Sequence, residues 1–204
     1  MLTLAIFVSG RGSNFKAVLS AIEEGSLDAR VALLVSSRED AAAVDVARAL
    51  GIPVHIARDE AATGSALISA LGAQGVDFIA LCGYLKLVPP EVVRAYRDRM
   101  LNIHPALLPA FGGKGMYGHH VHEAVLASGA RLSGATVHLV SEEYDRGPIV
   151  LQHSVEVHDD DTPGALAARV LTIEHALLPI ALQLFAENRI RVSGLRTIHL
   201  PEHS

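Results

Sequence analysis

The sequence of 204 residues has no tryptophan, a single cysteine and only 4% aromatic residues. One cysteine, Cys82, cannot form an internal disulfide, which favours a reducing compartment. Few aromatic rings leave little surface on which nucleic-acid bases stack. The net charge of −5 also argues against a broad phosphate-binding surface. We therefore expect a protein that does not bind nucleic acid.

The sequence also lacks a long hydrophobic run at its start. The opening run, Leu2 to Val8, is interrupted by Thr3 and is much shorter than the ~20 residues of a membrane-spanning helix. It has neither the basic start nor the length of a signal peptide. Half of all residues are hydrophobic and 19% are charged, which excludes a disordered chain. We expect a cytoplasmic globular protein with no membrane contact.

Strand-length apolar runs alternate with Ala-rich segments in the first half. The apolar runs are Leu2–Val8, Val31–Val35, Val54–Ile56, Phe78–Leu81 and Leu101–Ile103. The Ala-rich segments, predicted as helices, are Asn14–Glu24, Asp40–Leu50 and Ala61–Leu71. Gly25 and Gly51 follow two of these segments, where a helix would end. Because the runs have no polar face, they suit the buried strands of a parallel sheet.

The second half has a different pattern. Residues 105–118 carry two prolines and four glycines, which predicts a long loop. Regular elements are expected at His120–Ala127 (helix), Ala135–Val140 (strand), Ile149–Val157 (an alternating, antiparallel strand) and from Thr162 onward (a long helix with Thr162 as N-cap and Pro163 as its first residue). The polar end, residues 197–204, is expected to fray. We predict one α/β domain with a Rossmann-like open twisted sheet, parallel in its N-terminal half and antiparallel in its C-terminal half, with helices on both faces.

A glycine-rich loop, Ser9 to Asn14, joins the first strand to the first helix. A helix N-terminus offers unpaired N–H groups to an anion, and ligands bind at such strand ends in open α/β sheets. A dinucleotide site would need a third glycine at position 15, which is Phe15 here. It would also need an acidic residue at the end of the second strand, where this sequence has Ser36 to Arg38. A single phosphate is therefore the better interpretation. The alternative is a plain turn in which Ser13 caps the helix.

Three polar residues form a candidate acyl-transfer centre. Asn102 and His104 lie two apart at the end of the fifth strand, so their side chains share one face. An amide N–H and an imidazole could stabilise an oxyanion and move protons. Asp145 lies in a turn between two predicted strands, and a carboxylate near His104 would raise its pKa. The alternative is a structural histidine beside an ordinary turn.

Other polar groups are weaker candidates. The cluster His119, His120 and His122 could suggest a metal, but no cysteine or carboxylate pair accompanies it at ligand spacing, so we expect no metal. Glu174 lies beside the apolar stripe of the last helix. It is either a contact to a ligand or part of a solvated flank.

Six ordered motifs together resemble the phosphoribosylglycinamide formyltransferase family, the folate-dependent glycinamide ribonucleotide transformylases. They are SGRGSN (9–14), GYLKLVPP (83–90), NIHPALLP (102–109), SGATVHLV (133–140), YDRGP (144–148) and IEHALLP (173–179). The resemblance extends from Leu2 to about Val192. It implies that a co-substrate, 10-formyltetrahydrofolate, passes its formyl group to the amine of 5-phosphoribosylglycinamide in purine biosynthesis, without a metal.

The resemblance also implies roles for individual residues. The catalytic set would be Asn102, His104 and Asp145. The ribonucleotide would be bound by Gly12, Ser13, Asn14 and Glu174. The folate would be bound by Leu85, Lys86, Leu87, Val88, Asn102, Ser141, Glu142, Glu143, Tyr144 and Asp145. The phosphate-binding half would then be 1–104 and the folate-binding half, with the C-terminal helix, 105–204.

This sequence departs from the family pattern at several positions, two of them at expected folate contacts. Lys86 stands where arginine is common, which keeps the charge but loses the forked geometry. Residues 57–64 offer no clear match to a basic folate contact, although Arg58 is a candidate replacement. The expected substrates are small molecules, and the expected state is a monomer or homodimer.

Three other functions remain as alternatives. A formyltetrahydrofolate hydrolase or a methionyl-tRNA formyltransferase would share the Asn-x-His…Asp arrangement. Each normally carries a further domain, for which 204 residues are expected to leave no room. A non-catalytic nucleotide-binding module would explain the glycine-rich loop but not the joint presence of Asn102, His104 and Asp145.

Overall fold

The structure is a computed structural model that describes residues 1–57 and 63–202. The chain divides into two compact units, Met1–Asn102 and Ile103–Ser204. This division, after residue 102, falls two residues before the predicted boundary between the halves 1–104 and 105–204. A single domain over the whole chain stays a prediction.

The first unit alternates strands and helices, as predicted. Its elements are β1 (Leu2–Val8), α1 (Ser13–Glu23), β2 (Ala29–Ser36), α2 (Ala42–Ala49), β3 (Val54–Ile56), α3 (Thr63–Ala73), β4 (Phe78–Leu81), α4 (Pro90–Ala95) and β5 (Met100–His104), whose last two residues open the second unit. The strands pair in parallel in the order β3-β2-β1-β4-β5. Their continuous apolar runs fit this arrangement, because parallel strands are covered on both faces.

Local signals explain most boundaries in this unit. Gly25 and Gly51 follow α1 and α2 with φ of 75° and 68°, the left-handed conformation that ends a helix. Helix α4 is absent from the sequence prediction because it is short and starts at a proline pair. The predicted helix Ala61–Leu71 begins outside the described residues, and Arg58 also lies outside them.

The second unit contains the antiparallel strands. Its remaining elements are α5 (His119–Ala127), β6 (Leu132–Leu139), β7 (Ile149–Glu156), α6 (Pro163–Ala186), β8 (Ile190–Ser193) and β9 (Arg196–His199). Strands β6 and β7 are antiparallel, as are β8 and β9, and β9 lies parallel to β7. Residues 105–118 contain no helix or strand, as predicted.

The expectation that residues 197–204 fray is wrong for 197–199. These residues belong to β9, which forms a hairpin with β8 across a turn at Gly194, where φ is 61°. Thr197 donates its hydroxyl to the Ile149 carbonyl at 2.7 Å, and a ring nitrogen of His199 bonds the Val150 carbonyl at 2.9 Å. The strand is held by β7, a contact that its own polar sequence does not reveal.

Helix α6 is the long core helix of the second unit. Its N-cap is Thr162, whose hydroxyl accepts from the Ala165 N–H at 3.2 Å, and Pro163 is its first residue, as predicted. By length and composition it is the one helix among the described residues that could span a membrane. It packs on α5, β6 and β7 and buries Leu166 and Leu182 completely. Both features are those of a core helix.

Candidate active site

The glycine-rich loop presents the bare N-terminus of α1. Gly12 occupies the cap position with φ of 72°, and a side chain there would place its Cβ 2.6 Å from the Cβ of Ala43. Ser13 is the first residue of the helix rather than its cap, so the alternative interpretation of Ser13 is wrong. No side chain caps α1 and its first turn has no acidic residue. Its first N–H groups therefore point to a site that favours an anion.

Residues 85–88 form an apolar ledge in the first unit. Leu85 and Leu87 are 51% and 36% exposed, while Val88 is buried. The Leu85 N–H donates to the Ser9 hydroxyl oxygen at 2.9 Å, which ties the ledge to the end of β1. Lys86 reaches back to the Ala57 carbonyl at 3.4 Å. Exposed leucines on an anchored backbone suit a flat, partly apolar ligand.

The centre of the site in the second unit is the pair His104 and Asp145. His104 ends β5 and is only 3% exposed. Its Nδ1 lies 3.6 Å from Oδ2 of Asp145, and its Nε2 lies 2.8 Å from the Phe111 carbonyl oxygen. Because a carbonyl only accepts, Nε2 carries the hydrogen. The unprotonated Nδ1 of the neutral ring then faces the carboxylate.

A second imidazole, His138, completes this centre and was missed in the sequence. His138 lies on β6, with Nε2 3.5 Å from Oδ1 of Asp145 and Nδ1 2.9 Å from the Leu139 carbonyl oxygen. Asp145 also accepts from the Gly113 N–H at 2.8 Å. His138 lies near the end of β6 and Asp145 lies in the turn that follows it. This closeness in sequence is the signal that could have identified His138.

The electrostatics of the pair follow from burial. Burial lowers the pKa of His104 below 6.5, although Asp145 and the Phe111 carbonyl act to raise it. Asp145 thus acts on the His104 pKa in the predicted direction, but burial outweighs it. Burial also raises the pKa of Asp145, but His138, His104 and the Gly113 N–H together hold it below 3.8. Near neutral pH, the site holds a carboxylate beside a neutral imidazole.

A loop closes over the two side chains. Phe111 adopts φ of 53°, and Gly113 adopts φ of 100°. At Gly112 a Cβ would lie 2.4 Å from Cδ2 of Leu108 and 3.2 Å from Cβ of Asp145. Glycine at 112 therefore lets the backbone approach Asp145 closely enough for the neighbouring N–H to bond it.

The remaining sequence candidates are divided between the units. The first unit carries the loop and ledge residues (Gly12, Ser13, Asn14, Leu85, Lys86, Leu87, Val88) and Asn102, and the second carries the rest. The turn from Ser141 to Asp145 presents Glu142, Glu143 and Tyr144 to solvent, and the Ser141 hydroxyl donates to the Glu143 carbonyl at 3.0 Å. Glu174 is 8% exposed on α6 and is not the solvated flank of the alternative interpretation.

The histidine cluster does not act as one group. His119 and His120 are exposed, whereas His122 is buried and its pKa is lowered by that burial. Across residues 1–57 and 63–202, no group of three His, Cys, Asp or Glu side chains is arranged to hold a metal. The absence of a metal stays a prediction.

The chain matches known formyltransferases along most of its length. The model of the formyl transferase family matches residues 2–182. The phosphoribosylglycinamide formyltransferase of Arabidopsis thaliana, a chloroplastic protein, is 50% identical over 194 residues, which are 92% of this chain and 66% of that protein. The chain therefore spans just under two thirds of this relative. The phosphoribosylglycinamide formyltransferase of Escherichia coli is 33% identical and covers 94% of this chain and 90% of its own length.

A solved structure is similar over nearly the whole chain. The glycinamide ribonucleotide transformylase 1 of Symbiobacterium toebii superposes with a TM-score of 0.92 at 37% identity, covering 98% of this chain and 95% of its own. The predicted fold class, a Rossmann-like α/β fold with parallel strands followed by antiparallel ones, is confirmed. The predicted family resemblance is also confirmed.

Proposed function

The chain belongs to the formyl transferase family, and we propose that it transfers the formyl group of 10-formyltetrahydrofolate to the amine of 5-phosphoribosylglycinamide. The products are formylglycinamide ribonucleotide and tetrahydrofolate, in purine biosynthesis. Support comes from the relatives of that name, one of them 50% identical. The observation that carries the proposal is the buried pair of His104 and Asp145, with Nδ1 and Oδ2 3.6 Å apart.

The chemistry requires one proton to change places. The amine attacks the formyl carbon, a C–N bond forms and the carbonyl oxygen becomes an oxyanion. Collapse of this tetrahedral intermediate breaks the bond to N10 of the folate. The amine loses one proton and N10 gains one, so a group that accepts a proton and then returns it is sufficient.

His104 is suited to accept and return that proton. Its Nε2–H is engaged by the Phe111 carbonyl, so Nδ1 is the nitrogen that can take up a proton. Once protonated, Nδ1 faces the carboxylate of Asp145 and the imidazolium is stabilised where it forms. In this role His104 starts as a neutral ring, because burial lowers its pKa, and it becomes charged as it takes the amine proton.

Asn102 is the proposed donor to the oxyanion. It lies two residues before His104 on β5, and residues two apart along a strand share a face. Its side-chain amide can donate to the developing negative charge. Loss of one such donor typically slows a reaction by about 10²–10³-fold.

Substrate binding is assigned by the same reasoning. The N–H groups at the start of α1, around Gly12, Ser13 and Asn14, would bind the ribose phosphate, and buried Glu174 would contact the ribonucleotide. The ledge of residues 85–88 and the turn of residues 141–145 would bind the folate. Both substrates are small molecules.

The setting of the activity is also a proposal. The Arabidopsis relative is chloroplastic, whereas we place the present chain in the cytoplasm. It would act as a monomer or homodimer. It would need no metal cofactor and would bind neither nucleic acid nor a membrane. The metal can be tested directly, because activity should survive exhaustive treatment with a chelator.

The test is an absorbance assay of tetrahydrofolate release by purified protein. Release should require both 10-formyltetrahydrofolate and 5-phosphoribosylglycinamide, and His104→Ala should abolish it while keeping the circular dichroism spectrum. Equal release without the ribonucleotide would identify a hydrolase instead. Release only with methionyl-tRNA would identify the tRNA formyltransferase.

A further inference from the structure

A hydrogen-bonded network lies behind the catalytic pair, on the chain that leaves β5. Its centre is Thr136 of β6, which is fully buried. The Thr136 hydroxyl donates to the Ala106 carbonyl oxygen at 2.6 Å and accepts from the Leu108 N–H at 3.0 Å. One side chain thus binds both ends of a three-residue segment that begins two residues after His104.

Gln152 completes the network from the neighbouring strand. It pairs with Thr136 across the β6–β7 ladder and is otherwise exposed. Its Nε2 lies 2.9 Å from the Leu108 carbonyl oxygen and 2.9 Å from the Thr136 hydroxyl oxygen. Since that carbonyl can only accept, the amide nitrogen must point inward.

The network is saturated. A hydroxyl group has one hydrogen and two acceptor positions, and Thr136 uses all three. The Gln152 amide uses both of its hydrogens. Loss of the Thr136 hydroxyl would leave the Leu108 N–H and the Ala106 carbonyl without this partner, which is costly in a buried site.

The segment held in this way continues directly to the catalytic pair. Leu108 packs against Gly112, where an added Cβ would lie 2.4 Å from Cδ2 of the leucine. Phe111 supplies the carbonyl bonded by His104, and Gly113 supplies the N–H bonded by Asp145. Neither Thr136 nor Gln152 is bonded to His104 or Asp145.

We infer that Thr136 and Gln152 are positioning residues for formyl transfer. They hold residues 106–108, so that the following loop presents the Phe111 carbonyl to His104 and the Gly113 N–H to Asp145. This inference rests on the proposed function. A purely structural role would lower the melting temperature and leave the pH profile of kcat unchanged.

The test uses variants that keep side-chain shape. Thr136→Val removes the hydroxyl and Thr136→Ser keeps it, while Gln152→Met removes only the amide. Ser154→Ala, also exposed on β7 but outside the network, is the matched control. We expect Thr136→Val to lower kcat by about tenfold or more, Gln152→Met by about three- to tenfold, and KM for both substrates to change by less than about threefold.

The pH profile gives a second readout. The Phe111 carbonyl helps to raise the pKa of His104, so its displacement should move the acidic limb of the kcat profile to lower pH. Thr136→Ser and Ser154→Ala should keep the wild-type profile. Unchanged kcat and pH profile in both Thr136→Val and Gln152→Met would overturn the inference. If Thr136→Val does not fold, Gln152→Met alone tests the inference, because Gln152 is exposed.

The network can be tested separately from the proposed function. The ring signals of His104 can be followed by NMR during a pH titration, which needs no substrate. A shifted His104 titration in Gln152→Met supports the network even if the wild-type protein transfers no formyl group, in which case the proposed function alone fails. An unchanged His104 titration in Gln152→Met overturns the inferred positioning role of the network.

Discussion

Asp145→Asn tests the electrostatic role of the carboxylate with little change of shape. The asparagine oxygen can still accept from the Gly113 N–H, so the loop should keep its position. The negative charge 3.6 Å from Nδ1 of His104 disappears. At an effective dielectric constant of about 20, a unit charge pair at this distance is worth about 4–5 kcal/mol. Both side chains are almost fully buried, so solvent screens this interaction little.

The size of the kinetic effect follows from that energy. If His104 becomes charged as it takes the amine proton, Asp145→Asn removes most of this stabilisation, and kcat should fall by about three orders of magnitude. The measurement is steady-state tetrahydrofolate release, with folate affinity measured by calorimetry as the control for an intact site. A kcat within about tenfold of wild type, with unchanged affinity, would refute the proton-transfer role.

Three further predictions concern pH, the loop and the phosphate. Folding lowers the pKa of His104, so as the pH falls the unfolded chain takes up this proton before the folded chain does. The free energy of unfolding, measured with urea, should therefore keep its full value above pH 6.5 and decrease as the pH drops below 6.5. Gly12→Ala should lower the melting temperature and raise the ribonucleotide KM, because its Cβ would meet Ala43 at 2.6 Å. Ser13→Ala and Asn14→Ala should raise the ribonucleotide KM with little change in folate KM; a rise in folate KM alone would reverse our placement of the substrates.

Most strands of the first unit could be predicted because their signal is local. The apolar runs at Leu2–Val8, Val54–Ile56 and Phe78–Leu81 coincide with β1, β3 and β4. The glycines after α1 and α2 also fix two helix ends. By contrast, β9 has a polar sequence and is held by β7, so its stability comes from distant residues.

The candidate site shows the same limit. The motifs identified His104 and Asp145, which lie far apart in sequence and meet in the second unit. The charge of His104 could not be predicted, because it depends on burial as well as on the carboxylate. His138 was missed because its role depends on the β6–β7 turn that returns Asp145 to it.

Formyl transfer can be observed directly with an isotope label on the formyl group. The purified protein would be given 10-formyltetrahydrofolate labelled with ¹³C in the formyl group, together with 5-phosphoribosylglycinamide, and the label followed by NMR. We expect the label to leave the folate and to appear in the amide of the formylated ribonucleotide, and His104→Ala should abolish this transfer. Label that appears as free formate, or that remains on the folate, would contradict the proposed function.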